Sequence, residues 1–117
     1  MAKDDFEVVA YKVLAYAYAC LKAGVEASTA KALEIAGINE VYFLAVLKSL
    51  ASKGLIEGVP MFKHMNGDVV DYGESITITM DGAVYLRENG RMAKVGKYLG
   101  SAFEKVLEIA VKSTMVL

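Results

Sequence analysis

The stretch Ile76-Thr77-Ile78-Thr79-Met80-Asp81-Gly82-Ala83-Val84-Tyr85-Leu86-Arg87-Glu88-Asn89 decides how this chain folds. From Ser75 to Thr79 polar and apolar residues alternate, the pattern of a strand with one buried face. Thr79 then stands where a helix needs a side-chain oxygen for its unpaired first N–H groups. Asp81 follows in the first turn, where negative charge meets the positive end of the helix dipole. A helix from Met80 to Glu88 is predicted, closed by Asn89-Gly90. Upstream, Leu47-Lys48-Ser49-Leu50-Ala51-Ser52-Lys53-Gly54-Leu55-Ile56 has the reverse form, a helix that runs through a glycine into a strand.

Between these two units, Val59 to His64 and Val69 to Tyr72 read as paired strands. Asn66-Gly67 favours a tight turn between them, because both residues tolerate positive φ. Pro60, the only proline, fits an edge position or a strand start. On the N-terminal side, Asp4 and Asp5 precede a helix whose face is Phe6, Val9, Ala10, Val13, Leu14, Ala17, Cys20 and Leu21. Lys22-Ala23-Gly24 ends it. Val8, Tyr11, Ala15 and Tyr18 form a second apolar stripe, which either is buried in the fold or packs on a partner subunit. Ser28 or Thr29 caps a short second helix that Gly37 closes. Asn39 caps a third from Glu40, with Phe43 at the staple position and a core stripe of Phe43, Val46, Leu47, Leu50 and Ala51. The last segment, from Arg91 to about Lys112, is one helix or two, with a wide apolar face that includes Leu99, Phe103, Val106 and Ala110.

This order of elements predicts an α+β fold, a winged helix-turn-helix with a β-hairpin wing and a C-terminal helical extension. Residues 1–117 make a single domain, with a core of about 4–89 and the extension over about 91–112. That length suits one domain and is enough for a core without staples. The apolar fraction of 56% is above the ordinary range. Its longest uncharged apolar run, Val13 to Leu21, has nine residues. A membrane span needs about 18 or more. No membrane association is therefore expected, and the surplus points to a subunit interface. The 13 basic and 14 acidic side chains lack the basic balance of a strong nucleic-acid binder. One cysteine allows no internal disulfide and no cysteine-based zinc site. The opening Met1-Ala2-Lys3-Asp4-Asp5 does not look like a signal peptide, so a cytoplasmic protein is expected.

The chain resembles the YjcQ-like winged-helix family, small bacterial and phage-associated proteins of largely unassigned role. The resemblance rests on Asp4-Asp5-Phe6, Tyr42-Phe43, Leu50 with Gly54-Leu55-Ile56-Glu57-Gly58-Val59, and the stretch Ile76 to Asn89. It covers roughly residues 4–100. It implies a helix-turn-helix core with a wing and, by analogy with other winged helices, DNA binding.

The chemistry available is that of binding rather than catalysis. In such a fold the third helix enters the major groove, where Arg, Lys, Asn or Gln read base edges. The candidate DNA-binding residues are Asn39, Tyr42 and Lys48 on that helix, with Lys63, His64 and Asn66 on the wing. Glu40 opposes phosphate, and Val41 to Leu47 is apolar nearly all round. Arg87, Arg91, Lys94 and Lys97 form a second basic set, read as a solvated face. Candidate dimer-interface residues are Tyr11, Tyr18, Leu99, Phe103, Val106 and Ala110. A single histidine excludes a histidine-rich metal site or a triad within one chain. Cys20 reads as a buried inert thiol. Asp68, Asp71 and Glu74 lack an EF-hand spacing. No catalytic residue, metal or cofactor is assigned. The expectation is a non-enzymatic DNA-associated transcriptional regulator of bacterial or phage type, forming a homodimer. The alternative is a protein–protein adaptor that keeps the fold without DNA binding.

Overall fold

The computed structural model describes residues 1–58 and 75–115, together with the backbone of 62–64 and 67–69. In chain order the elements are α1 (Phe6–Ala23), β1 (Ala27–Ser28), α2 (Thr29–Ala36), α3 (Glu40–Ser52), β2 (Ile56–Glu57), β3 (Phe62–His64), β4 (Gly67–Val69), β5 (Ser75–Ile78), α4 (Met80–Glu88) and α5 (Gly90–Met115). The architecture is α+β. A small antiparallel sheet has the order β1-β5-β2, with Ala27 opposite Ile76 and Ile56 opposite Ile78. β3 and β4 pair separately, Phe62 opposite Val69 and His64 opposite Gly67. Gly67 is thus a paired strand residue rather than half of the turn. The remainder of the two predicted wing strands lies outside the described residues.

Local chemistry sets the helix ends. Asn39 Oδ1 accepts from the Tyr42 N–H at 2.9 Å, and Ser28 Oγ accepts from the Lys31 N–H at 3.2 Å. Gly24 and Gly37 close α1 and α2 at φ of 79° and 67°, a region side chains rarely enter. Asn89 departs from its expected role. Its backbone is extended, and its Oδ1 accepts from the N–H groups of Arg91 and Met92. It starts α5 rather than closing α4 through a left-handed turn.

Thr79 does more than cap α4. Its Oγ1 accepts from the Gly82 N–H at 3.0 Å and donates to the Gly54 carbonyl at 2.6 Å, while its own N–H bonds the Leu55 carbonyl at 3.0 Å. Gly82 is held so close that a Cβ would lie 2.1 Å from the Leu55 carbonyl oxygen. The glycine therefore serves a close approach of α4 to the backbone that leaves α3.

The core is built around α1. Val9, Val13, Leu14, Ala17 and Cys20 are buried on its main face, as are Val8 and Ala15 of the second stripe. Phe6 and Leu21, expected on the main face, stay about half exposed. A helix apolar on all sides is one surrounded by protein, and here α5 of the same chain supplies the missing wall. Met92, Val95, Phe103 and Ala110 of α5 are buried. The Tyr11 and Phe103 rings pack at 6.0 Å between centroids. Tyr11 also covers Gly96, where a Cβ would come within 3.0 Å of its hydroxyl. The assignment of Phe103 and Ala110 to a subunit interface is therefore corrected: both are covered within one chain, and Tyr11 is half-buried there.

Two further features were not legible. Tyr16 lies on neither predicted stripe yet is completely buried. A hydrogen-bond chain runs from the Ser28 N–H to its hydroxyl at 3.0 Å, on to Thr114 Oγ1 at 2.7 Å, and from Thr114 to the Ala110 carbonyl at 2.8 Å. In addition α5 is broken at Gly100, whose φ of 66° and ψ of −162° are open essentially to glycine alone. The break lets both pieces of α5 follow α1. No single helix among the described residues is long and apolar enough to cross a membrane.

Candidate nucleic-acid interface

The expected interface begins at the joint between α2 and α3. Gly37, Ile38 and Asn39 connect the two helices, and α3 leaves at 113° to α2. Phe43, Val46, Leu47 and Leu50 face the core, so the opposite side of α3 is left to the surface. Asn39, Glu40, Val41 and Ala45 are exposed there, with Lys48 and Ser49 half-buried.

The N-terminal end of this surface is already engaged. Asn39 uses its side-chain oxygen as the cap of α3. Tyr42 is half-buried, its hydroxyl donates to the Asp4 carbonyl, and its ring tilts against Phe6 at 6.1 Å between centroids. Burial, followed by the nearby Asp4 and Asp5 carboxylates, raises the Tyr42 pKa above its ordinary value. Those carboxylates, with Glu40, give the start of α3 a negative surround. Val41, next to Glu40 in sequence, is 80% exposed. The cations lie further along, at Lys48 and at Lys53 beyond the last turn.

On the hairpin, Lys63 is registered opposite Asp68 and His64 opposite Gly67. Their side chains, and Asn66 entirely, lie outside the described residues. The second basic set is exposed throughout, and Arg91 pairs with Glu7 of α1 at 3.1 Å. A surface pair of this kind contributes only about 0–1 kcal/mol.

The residues expected at a dimer interface separate into two groups. Tyr11 and Phe103 are occupied between α1 and α5, and Ala110 is buried beside Lys31 and Ile35 of α2. Tyr18 is half-buried with the Lys22 ammonium 4.6 Å from its ring centre, Leu99 is half-buried, and Val106 is 44% exposed. Ile109, absent from the expected set, is 67% exposed beside Val106. Its place in the apolar pattern of α5 was a usable signal. The roles of Asp4 and Phe6 in holding Tyr42 had none, since they depend on how the chain start meets α3.

Cys20 is buried, and burial pushes its thiol pKa above the ordinary value. A protonated thiol in an apolar setting is a poor nucleophile.

A family model described as YjcQ protein matches residues 11–104. No curated protein and no solved structure matches the chain.

Proposed function

The chain belongs to the YjcQ family, and from that premise we propose that it is a non-enzymatic winged-helix protein, a small DNA-associated regulator of bacterial or phage type. The observation that carries this reading is the joint of α2 and α3. A three-residue connection with a glycine and an angle of 113° fits the helix-turn-helix, whose helices meet at about 90–120°. The sheet order β1-β5-β2, with the β3–β4 hairpin between β2 and β5 in sequence, supports the wing. In this reading Asn39, Lys48, Lys63, His64 and Asn66 face the duplex, and Tyr42 sets the height of the helix through its bond to Asp4.

The test is fluorescence anisotropy with mixed-sequence duplex DNA at about 50 mM and about 200 mM salt. Displaced counterions make phosphate binding weaken steeply over that range, by about tenfold or more for three contacts. A flat titration at the lower salt sinks the proposal.

One observation favours a second reading, a protein-binding module with the same fold. The start of α3 presents an exposed Val41 beside Glu40, with Phe6 and the carboxylates of Asp4 and Asp5 around Tyr42, a surface suited to a basic, partly apolar partner segment rather than to phosphate. In that case Val41→Ser abolishes partner capture without adding a charge that opposes phosphate. Self-association through Val106 and Ile109, near the end of α5, is proposed alongside either reading. A monomer mass in light scattering at high micromolar concentration counts against it.

A further inference from the structure

We propose that the cavity where α1, α3, α4 and α5 converge is a binding site for a small carboxylic acid with an apolar tail. The cavity has a volume of about 250 Å³. Its floor is Ala10, Leu50, Leu55 and Met92, each no more than 6% exposed. The rings of Phe6 and Tyr85 form its sides. Pockets for drug-sized ligands run to about 300–1,000 Å³, so this one holds a short aliphatic or single-ring tail. It is too small for a nucleotide.

The rim selects the head group. Lys53 and Arg91 line it with Glu7, the only carboxylate among its described lining residues. Two cations against one anion leave a net positive mouth over an apolar floor. Glu7 takes one guanidinium nitrogen of Arg91 at 3.1 Å. A guanidinium carries five N–H donors in a fork that fits carboxylates, so Arg91 can hold a second carboxylate while keeping the first. Lys53 has no ion-pair partner among the described residues. The Ser49 hydroxyl lies on the same wall as Lys53 and makes no hydrogen bond to another described residue. A monoanion with an apolar tail matches both halves of this surface, whereas a phosphate leaves the floor unused and a hydrocarbon leaves the rim unused. The inference is independent of any nucleic-acid reading of α3.

The experiment is methyl NMR on the full chain, titrated with butanoate, octanoate and 3-phenylpropanoate, and with the matching neutral amides. Saturable shifts at the methyl groups of Met92, Leu50 and Leu55 are expected from at least one acid. Its amide should bind about tenfold more weakly, the loss expected when charge-assisted hydrogen bonds go. The double variant Lys53→Gln/Arg91→Gln, both positions being exposed, should reproduce that loss with the acid while its spectrum stays folded. Glu7→Gln should act in the opposite sense and tighten the acid about threefold, because it removes the carboxylate that lines the rim. No saturation by any of the three acids up to about 20 mM, a limit weaker than any useful small-ligand site, overturns the proposal. So does equal affinity for acid and amide, or a double variant that binds as the native chain does.

Discussion

Helices α1 and α3 both carry apolar residues away from their core-facing sides, and they end up in opposite surroundings. On α1, Val8 and Ala15 of the second stripe are 0% and 7% exposed, because α5 folds back over them. On α3, Val41 is 80% exposed beside Glu40, and no described residue covers it. An apolar surplus in a sequence therefore says that a surface will be covered, but not which chain does the covering. For α1 the cover is internal. For α3 the described residues leave the surface open.

The strongest way to break this contrast is to remove the internal cover. Phe103→Ala takes away the ring that packs on Tyr11 and should cost about 3–5 kcal/mol. That is much of the about 5–15 kcal/mol that a domain has. Urea unfolding measures it, and a loss below about 1 kcal/mol would mean that α5 is not a real wall of the core. Gly100→Ala attacks the same wall through the backbone. A Cβ at Gly100 meets no atom within 4 Å, so any loss comes from the left-handed conformation alone, about 1–3 kcal/mol. A thermal melt unchanged by this variant would show that α5 can run straight without leaving α1.

The burial of α1 also has a pH signature, one in which Tyr42 of α3 shares. Burial raises the pKa of Tyr11, Tyr16 and Cys20, all on α1, with Glu104 adding to the effect at Tyr11. These groups are held protonated in the folded chain. Above their ordinary values, 9.0 for the thiol and 10.0 for the phenols, the unfolded chain loses protons that the folded chain keeps. Stability should thus be flat with respect to these groups below about pH 9 and fall as pH rises further. Cys20→Ala should delay the onset of the fall. Urea midpoints at pH 8 and pH 10 that coincide would contradict the burial of all three. At the small end, Val41→Ser should change stability by no more than about 0.5 kcal/mol, as for an exposed site without partners. A larger loss in a concentration-dependent melt would show that Val41 is already covered by a second copy.

Much of the frame is legible because it is local. Asn39 and Thr79 act as caps where the sequence places them, Gly24 and Gly37 end their helices, and α4 spans Met80–Glu88 as expected. The core stripe of α3 follows from spacing alone. What escapes the sequence depends on distant contacts. Tyr16 is polar enough at its tip to look like a surface residue, and its bonds to Ser28 and Thr114 satisfy that tip once it is buried. Ala27–Ser28 is too short to read as a strand until Ser75 and Ile76 pair with it. Gly82 looks like any helix-start glycine until Leu55 is beside it. Of the candidate interface, the positions of Asn39, Tyr42 and Lys48 on α3 follow from spacing. The acidic surround contributed by Asp4 and Asp5 does not, since it comes from a segment 35 or more residues away in sequence.

The hydrogen bond between Tyr16 and Thr114 spans 98 residues, and it has a consequence in time. A contact of that separation closes late, because the chain must lose loop entropy before the contact rewards it. Helices α1 to α4 can meet through shorter loops, and the start of α5 reaches the start of α1 through Arg91 and Glu7, but Tyr16 lacks its Thr114 partner until the last turns of α5 dock. During refolding Tyr16 therefore stays open for a time set by that docking. In a cell the same interval lasts until residue 114 has left the ribosome, well after α1 itself has emerged.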